Sequence, residues 1–242
     1  MTDVSKSPER IAGMFDAIAG RYDLLNHVLS AGIDRRWRTR AIRSLRLTGR
    51  ERVLDLCTGT GDLAIAAARA RPPAARVVGV DFSGAMLRVG DRKLRTERLD
   101  DRIAMVQGDA LRIPLGDASV DAATIGFGIR NVHDMDTACA ELHRVLKAGG
   151  RLAILEFAVP TLPVFGALYG WYVNRVLPRV GRALSRNDSA YAYLPASISA
   201  FATPDEFVKI LRRSGFGAIS PIRLMLGSVI LYTARKELGA GA

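Results

Sequence analysis

Arg52-Val53-Leu54-Asp55-Leu56-Cys57-Thr58-Gly59-Thr60-Gly61-Asp62 reads as a short apolar strand that runs into a glycine turn and then a helix. Glycines suit that turn because the backbone must bend sharply and approach a ligand without a Cβ in the way. The N–H groups that open the following helix then face the ligand. Outward from this stretch, apolar runs rich in β-branched residues alternate with helix-like segments. Strands are expected at residues 52–56, 76–80, 103–107, 120–125 and 152–157, and helices at 62–70, 85–95 and 136–146. The alternation predicts a Rossmann-like α/β fold with a mostly parallel sheet and helices on both faces. Two more strands, 218–224 and 228–234, are separated only by Met225, Leu226 and Gly227 and predict an antiparallel C-terminal hairpin, giving seven strands in all.

Of the 242 residues, 49% are hydrophobic and 24% charged, which excludes disorder, collagen-like sequence and coiled coil. One domain is expected, with an N-terminal helical lid (1–48), a cofactor-binding core (49–158), a helical insertion (159–202) and a last crossover helix with the hairpin (203–242). Ser83 is placed to cap the helix after the second strand. Thr203, Pro204 and Glu206 carry the cap, first-position proline and capping-box signals of the last helix. Cys57 and Cys139 lie far apart, so neither a disulfide framework nor zinc-ligand spacing is expected, and no metal. The expected location is the cytoplasm, since no signal peptide is read in the first residues. The uncharged run 157–174 is broken by Pro160, Pro163, Gly166 and Gly170, and reads as amphipathic instead of membrane-spanning. Lys and Arg number 35 against 24 Asp and Glu, a net charge of +11 that points to nucleic acid or to an anionic membrane surface.

About 20 residues beyond the glycine turn, Asp81 ends the second strand, where a carboxylate accepts both ribose hydroxyls of a nucleoside. Gly108-Asp109-Ala110 ends the third strand and offers a carboxylate and a backbone N–H to an adenine edge. An adenosine-type ligand at the carboxyl ends of the strands is the result. Gly59 to Ala64 also satisfies the G-x-G-x-x-A pattern of dinucleotide-binding dehydrogenases. Three features favour S-adenosylmethionine. Asp55 and Asp62 bracket the turn with negative charge, which suits an ammonium and a sulfonium and opposes a pyrophosphate. The acidic Asp109 site and the antiparallel final strand, the usual ending of class I methyltransferases, agree. For Asp55 a second reading stays open, that it only fixes the loop through backbone N–H groups.

The chain resembles the ubiquinone/menaquinone biosynthesis C-methyltransferase family, from about Met14 to Lys236. The most specific matches are Met14-Phe15-Asp16, Arg21-Tyr22-Asp23-Leu24-Leu25-Asn26, Gly59-Thr60-Gly61-Asp62 and Phe127-Gly128-Ile129-Arg130-Asn131-Val132. Arg144-Val145-Leu146-Lys147, Leu155-Glu156-Phe157 and Tyr191-Ala192-Tyr193-Leu194-Pro195-Ala196-Ser197 fit as well. The resemblance implies a class I S-adenosylmethionine-dependent enzyme that methylates a ring carbon of a polyprenylated quinol. It places cofactor contacts on Thr60, Asp81, Asp109 and Ala110, beside Gly59, Gly61 and Asp55 of the turn. Gly126 departs from a family pattern that often has a polar residue there. Ala148, in place of a proline, and Ser228, in place of a glycine, read as structural changes.

Carbon methylation needs an electron-rich ring, so a ring hydroxyl must be weakened or deprotonated and held in line with the methyl–sulfur bond. Arg130, at the carboxyl-end rim, is the expected phenolate stabiliser, directly or through a water. A guanidinium does not act as a base. His133 is the candidate base, against a plain solvent-facing loop residue. Asn131 either orients the ring hydroxyl or caps the local backbone. Tyr22 either closes over the methionine part of the cofactor or packs within its helix. A quinol tail resides in the bilayer, and Leu162 to Val173, followed by Arg175, Arg179, Arg182 and Arg186, suits peripheral contact with the inner face of the cell membrane. A core-packing insertion is the other reading of that segment. Arg35-Arg36-Trp37-Arg38-Thr39-Arg40 prompts nucleic acid, but Trp37, Ile42 and Leu45 share one side of that helix, so its arginines read as a solvated face and no nucleic-acid partner is expected. A non-catalytic subunit of a quinone-biosynthesis complex and a homodimer both stay open.

Overall fold

The computed structural model describes residues 8–30, 32–160, 170, 175 and 188–238. Its strands are β1 (Arg52–Leu56), β2 (Arg76–Asp81), β3 (Ile103–Gln107), β4 (Val120–Gly126), β5 (Leu146–Phe157), β6 (Phe216–Leu224) and β7 (Val229–Lys236). They form one sheet in the order β3-β2-β1-β4-β5-β7-β6. The first five run parallel, and β7 runs antiparallel to both of its neighbours, β5 and β6. The central strands are buried on both faces, the condition under which a strand reads as a continuous apolar run.

One face is covered by α6 (Met135–Val145), which buries Ala138, Cys139, Leu142 and Val145, and by α8 (Pro204–Arg213), which buries Phe207, Ile210 and Leu211. The opposite face takes α3 (Asp34–Ser44), α4 (Asp62–Ala68) and α5 (Gly84–Glu97), with Trp37, Ala41, Ile42, Leu63, Ala64 and Leu94 packed inward. The expected caps form. Ser83 Oγ accepts from Met86 N, and α8 opens on a complete capping box in which Thr203 and Glu206 satisfy each other's backbone N–H.

Above the carboxyl ends of the parallel strands lie α1 (Pro8–Ile18) and α2 (Tyr22–Leu29), joined by one 3-10 turn. Phe15 and Tyr22 meet edge to face at 6.0 Å. Ile18 and Ala19 pack on Met86 of α5 with Leu194 of α7 (Asp188–Ser199), so the N-terminal helices form a small core of their own over the sheet edge.

β5 starts six residues earlier than the sequence suggests. Leu146 already pairs with Val120, and a bulge follows before Arg151 rejoins the register opposite Ala122. Gly149 adopts φ +73°, and a Cβ on Gly150 would stand 2.7 Å from the Lys147 carbonyl, so the two glycines allow helix to pass into strand without a loop. The stretch expected to be amphipathic, 162–173, lies outside the described residues except for Gly170.

Candidate active site

Beyond β1 the backbone takes left-handed conformations at Cys57, Gly59 and Gly61, with φ of +55°, +56° and +85°. Asp55 holds the turn from beneath. Its Oδ2 accepts from Thr58 Oγ1 at 2.6 Å and Ala64 N at 3.1 Å, and its Oδ1 accepts from Thr124 Oγ1 at 2.7 Å. Burial pushes this carboxyl up to about 6, with the Thr58, Thr124 and Ala64 bonds pulling the other way. Of the two readings of Asp55, loop fixation is the one with visible partners.

Asp81 is presented differently. Oδ2 accepts from Gly59 N at 2.8 Å and Oδ1 from Ser83 N at 2.9 Å, which ties the glycine turn to the start of α5. Each carboxylate oxygen has two acceptor positions, so each retains one for a ligand.

These residues border a cleft of about 820 Å³, part of it open to solvent. Seven of the eleven residues expected in the site line it: Tyr22, Gly59, Asp81, Asp109, Ala110, Asn131 and His133. Asp109 spends Oδ1 on Leu111 N at 2.9 Å. Ile11, Ala12, Phe15, Met86, Phe127 and Val132 supply an apolar side. At Gly126 a Cβ would stand 2.7 Å from Leu63 Cδ1, so a larger residue there requires the Leu63 side chain to shift.

Four expected residues stand behind the wall: Asp55, Thr60, Gly61 and Arg130 are not part of the lining. The Thr60 hydroxyl donates to Asp23 of α2. Asp23 also takes Lys93 Nζ at 2.7 Å, and Lys93 in turn pairs with Asp62, which Arg38 reaches at 2.9 Å. Asp62 is therefore consumed by two cations, and the expectation that Asp55 and Asp62 face the cofactor's positive groups is corrected. The negative side of the cleft is made by Asp81 and Asp109. A second tie, from Ser83 Oγ to Asp16 Oδ1, fastens α1 to α5, so both N-terminal helices are held down by a carboxylate.

Arg130 is 5% exposed. Its Nη1 pairs with Glu156 Oε1 at 2.8 Å and also donates to the Phe127 carbonyl, while Nε donates to Ser197 Oγ at 3.3 Å. The guanidinium lies 5.4 Å from the Phe157 ring centroid. The guanidinium is thus engaged by Glu156, the Phe127 carbonyl and Ser197, and it is not among the residues that line the cleft.

The electrostatics of the cleft can be read from Cys57. Burial raises its thiol well above the ordinary value, and Asp81, Asp55, Glu156 and Asp109 push in the same direction. In a chain of net charge +11, the cleft is anionic. Such a site suits a sulfonium and an ammonium better than a pyrophosphate.

The family model for the ubiE/COQ5 methyltransferase family matches residues 1–236. The chain belongs to this family. The ubiquinone/menaquinone biosynthesis C-methyltransferase UbiE of Geobacter sp. (strain M21) is 46% identical over 236 residues, covering 98% of this chain and 100% of the relative. A demethylmenaquinone methyltransferase of Bacteroides fragilis (strain YCH46) is 40% identical over 231 residues, covering 96% and 94% of the two chains. Among solved structures the cyclase SpnF superposes with a TM-score of 0.70 at 17% identity, over 96% of this chain and 98% of that one. That likeness shows the fold alone, and the name of its bearer illustrates that the fold does not choose the reaction.

S-adenosylmethionine is the cofactor of this ubiE/COQ5-family methyltransferase. Reading of single motifs missed the residues that brace the cleft: Asp16, Asp23, Glu156, Tyr193 and Ser197. Glu156 carries a signal in retrospect, since it is the one acidic residue in the apolar strand β5. The two aspartates stand in the Met14-Phe15-Asp16 and Arg21-Tyr22-Asp23 motifs, whose pattern is explained by the ties just described.

Proposed function

We propose that this enzyme transfers the methyl group of S-adenosylmethionine to a ring carbon of a polyprenylated quinol, the acceptor being demethylmenaquinol, 2-methoxy-6-polyprenyl-1,4-benzoquinol or both. The observation that carries this reading is near-full-length similarity to chains named for quinone-biosynthesis methylation. The two-sided cleft supports it: acidic groups at the strand ends suit the cofactor, and an apolar side suits a hydrophobic ring.

When bound, S-adenosylmethionine supplies an electrophilic methyl group. In this proposal Asp81 accepts the ribose hydroxyls and Asp109 with Ala110 reads the adenine edge. Tyr22 and Phe15 cover the cleft from the N-terminal helices and exclude water. Asn131 faces the ring hydroxyl, and His133, exposed at the cleft mouth, accepts its proton. Arg130 holds the turn that carries Asn131 and His133, so most of the acceleration comes from orientation in a water-poor site. Incubation with S-adenosylmethionine and each reduced quinone should give a product one methylene heavier by mass. Cofactor binding without methylation of either quinol would overturn the substrate assignment.

The acceptor's tail belongs to the bilayer, so the enzyme meets it at a membrane surface. No helix among the described residues is long and apolar enough to cross one. The exposed arginines of α3, Arg35, Arg36, Arg40 and Arg43, support contact with anionic lipid, as does the net charge of +11. The protein should float with vesicles containing phosphatidylglycerol and release at high salt, where surface charges are screened. Equal behaviour with neutral vesicles, or no flotation at all, would reject the contact.

A further inference from the structure

Helix α7 packs beside α1 and touches the cleft wall with two side chains one helical turn apart. Tyr193 Oη donates to Asn131 Oδ1 at 3.2 Å, and Ser197 Oγ accepts from Arg130 Nε at 3.3 Å. Both α7 residues are buried, at 7% and 0% exposure, and Ser197 completes its bonding by donating to the Leu194 carbonyl at 2.9 Å. Two consecutive residues of the 3-10 turn Ile129–Asn131 are thereby matched to positions i and i+4 of one helix, which fixes the register between them. Only Asn131 of these four side chains belongs to the cleft lining.

A carboxamide is two-ended. Its oxygen accepts and its amino group donates, and the two ends exchange by a half-turn of the side chain. With the oxygen held by Tyr193, the amino group is the end left for the cleft. A ring hydroxyl that gains negative charge during carbon methylation is stabilised by a donor and opposed by a carbonyl oxygen, so the orientation decides whether Asn131 helps or hinders. We propose that Tyr193 is a positioning residue that locks the Asn131 carboxamide with its amino group toward the acceptor ring's oxygen. Burial of the phenol keeps Tyr193 protonated and hence a donor, with Arg130 and Arg10 pulling the other way. The inference rests on the quinol reading above.

Tyr193→Phe removes the hydroxyl and keeps the ring, so the packing of α7 is retained. In full-length enzyme assayed with S-adenosylmethionine and a reduced quinone, kcat is expected to fall about threefold to tenfold, the range for one lost hydrogen bond, with the cofactor Kd unchanged. The kcat profile should also move to higher pH, because the bound ring hydroxyl ionises less readily once the donor is free to turn away. In the Asn131→Ala background the same change should have no further effect. A Tyr193→Phe enzyme with wild-type kcat and pH profile would overturn the proposal. An equal loss with and without Asn131 would do so too, since a merely structural role for Tyr193 acts in both backgrounds. Wild-type turnover measured alongside separates the two readings. A wild type that methylates no quinol overturns the substrate assignment and this proposal together. An active wild type with an unaltered Tyr193→Phe variant overturns the proposal alone.

Discussion

Glu156→Ala is expected to lower the unfolding free energy by about 3–5 kcal/mol, the loss that follows removal of one member of a buried ion pair. Glu156 is 0% exposed, and its carboxylate accepts from three donors at once. Oε1 takes Arg130 Nη1 at 2.8 Å and Phe157 N at 2.9 Å, and Oε2 takes Arg130 N at 3.2 Å. Without it the guanidinium remains in the interior with a carbonyl, a serine hydroxyl and the Phe157 ring, and no counter-charge. The loss is a large part of the roughly 5–15 kcal/mol that holds an ordinary domain together. Denaturant melts of Glu156→Ala and Glu156→Gln separate charge from shape, because the amide keeps the volume and one acceptor. A Glu156→Ala protein as stable as wild type would show that the pair does not hold the turn. Removing Arg130 as well should restore part of the stability, since the stranded cation is gone.

Asp81→Asn acts on binding instead of stability. Hydrogen bonds to a charged acceptor are worth about 1.5–3 kcal/mol, so weakening the pair expected at the ribose should raise the Kd for S-adenosylmethionine by about 10–100-fold by calorimetry. On stability, loss of the buried charge works in the opposite direction. Burial raises Asp81 above the ordinary value of 3.8, with the N–H groups of Ser83 and Gly59 pulling it down and Asp16 pushing it up. The native state therefore binds that proton more tightly than the unfolded chain does. This contribution to stability grows as pH falls through the raised folded-state pKa and is complete below 3.8. At pH 7 an ionised Asp81 opposes folding, and the neutral amide removes that opposition. The ligand-free variant loses one of the two N–H bonds as well, because an amide has a single acceptor oxygen, so its Tm should stay close to wild type while it binds its cofactor poorly. Unchanged affinity, or affinity lost only together with Tm, would remove Asp81 from the ribose site.

The sheet was legible because its strands are buried on both faces and are bounded by turn residues. Strands β1 and β3 fall where the apolar runs fall, and α8 begins on the Thr203 cap. The early start of β5 was hidden because Lys147 to Gly150 carries no strand signal, and the pairing of Leu146 with Val120 comes from the tertiary fold. That Asp81, Asp109 and Ala110 line the cleft was readable, because a strand's carboxyl end fixes where its last residues point. The placement of Arg130 was not, since it depends on Glu156 and Ser197, 26 and 67 positions away. Asp62 misled for the same reason. Its negative charge is plain in the sequence, but the two cations that absorb it arrive from α3 and α5.

The place of β7 bears on how the chain is made. β7 is the last strand in sequence, and it is the one that joins β6 to β5. While Ala158 to Ser228 emerge from the ribosome, the outer edge of β5 has no partner, and β6 has no neighbour in the sheet to pair with. The five parallel strands and their helices can assemble during synthesis, but closure of that side waits for Val229 to Lys236. An unpaired edge invites pairing with other chains. The interval before β7 appears leaves that edge open to such pairing, and changes that weaken β7 should lower soluble yield more than they lower the activity of the molecules that fold.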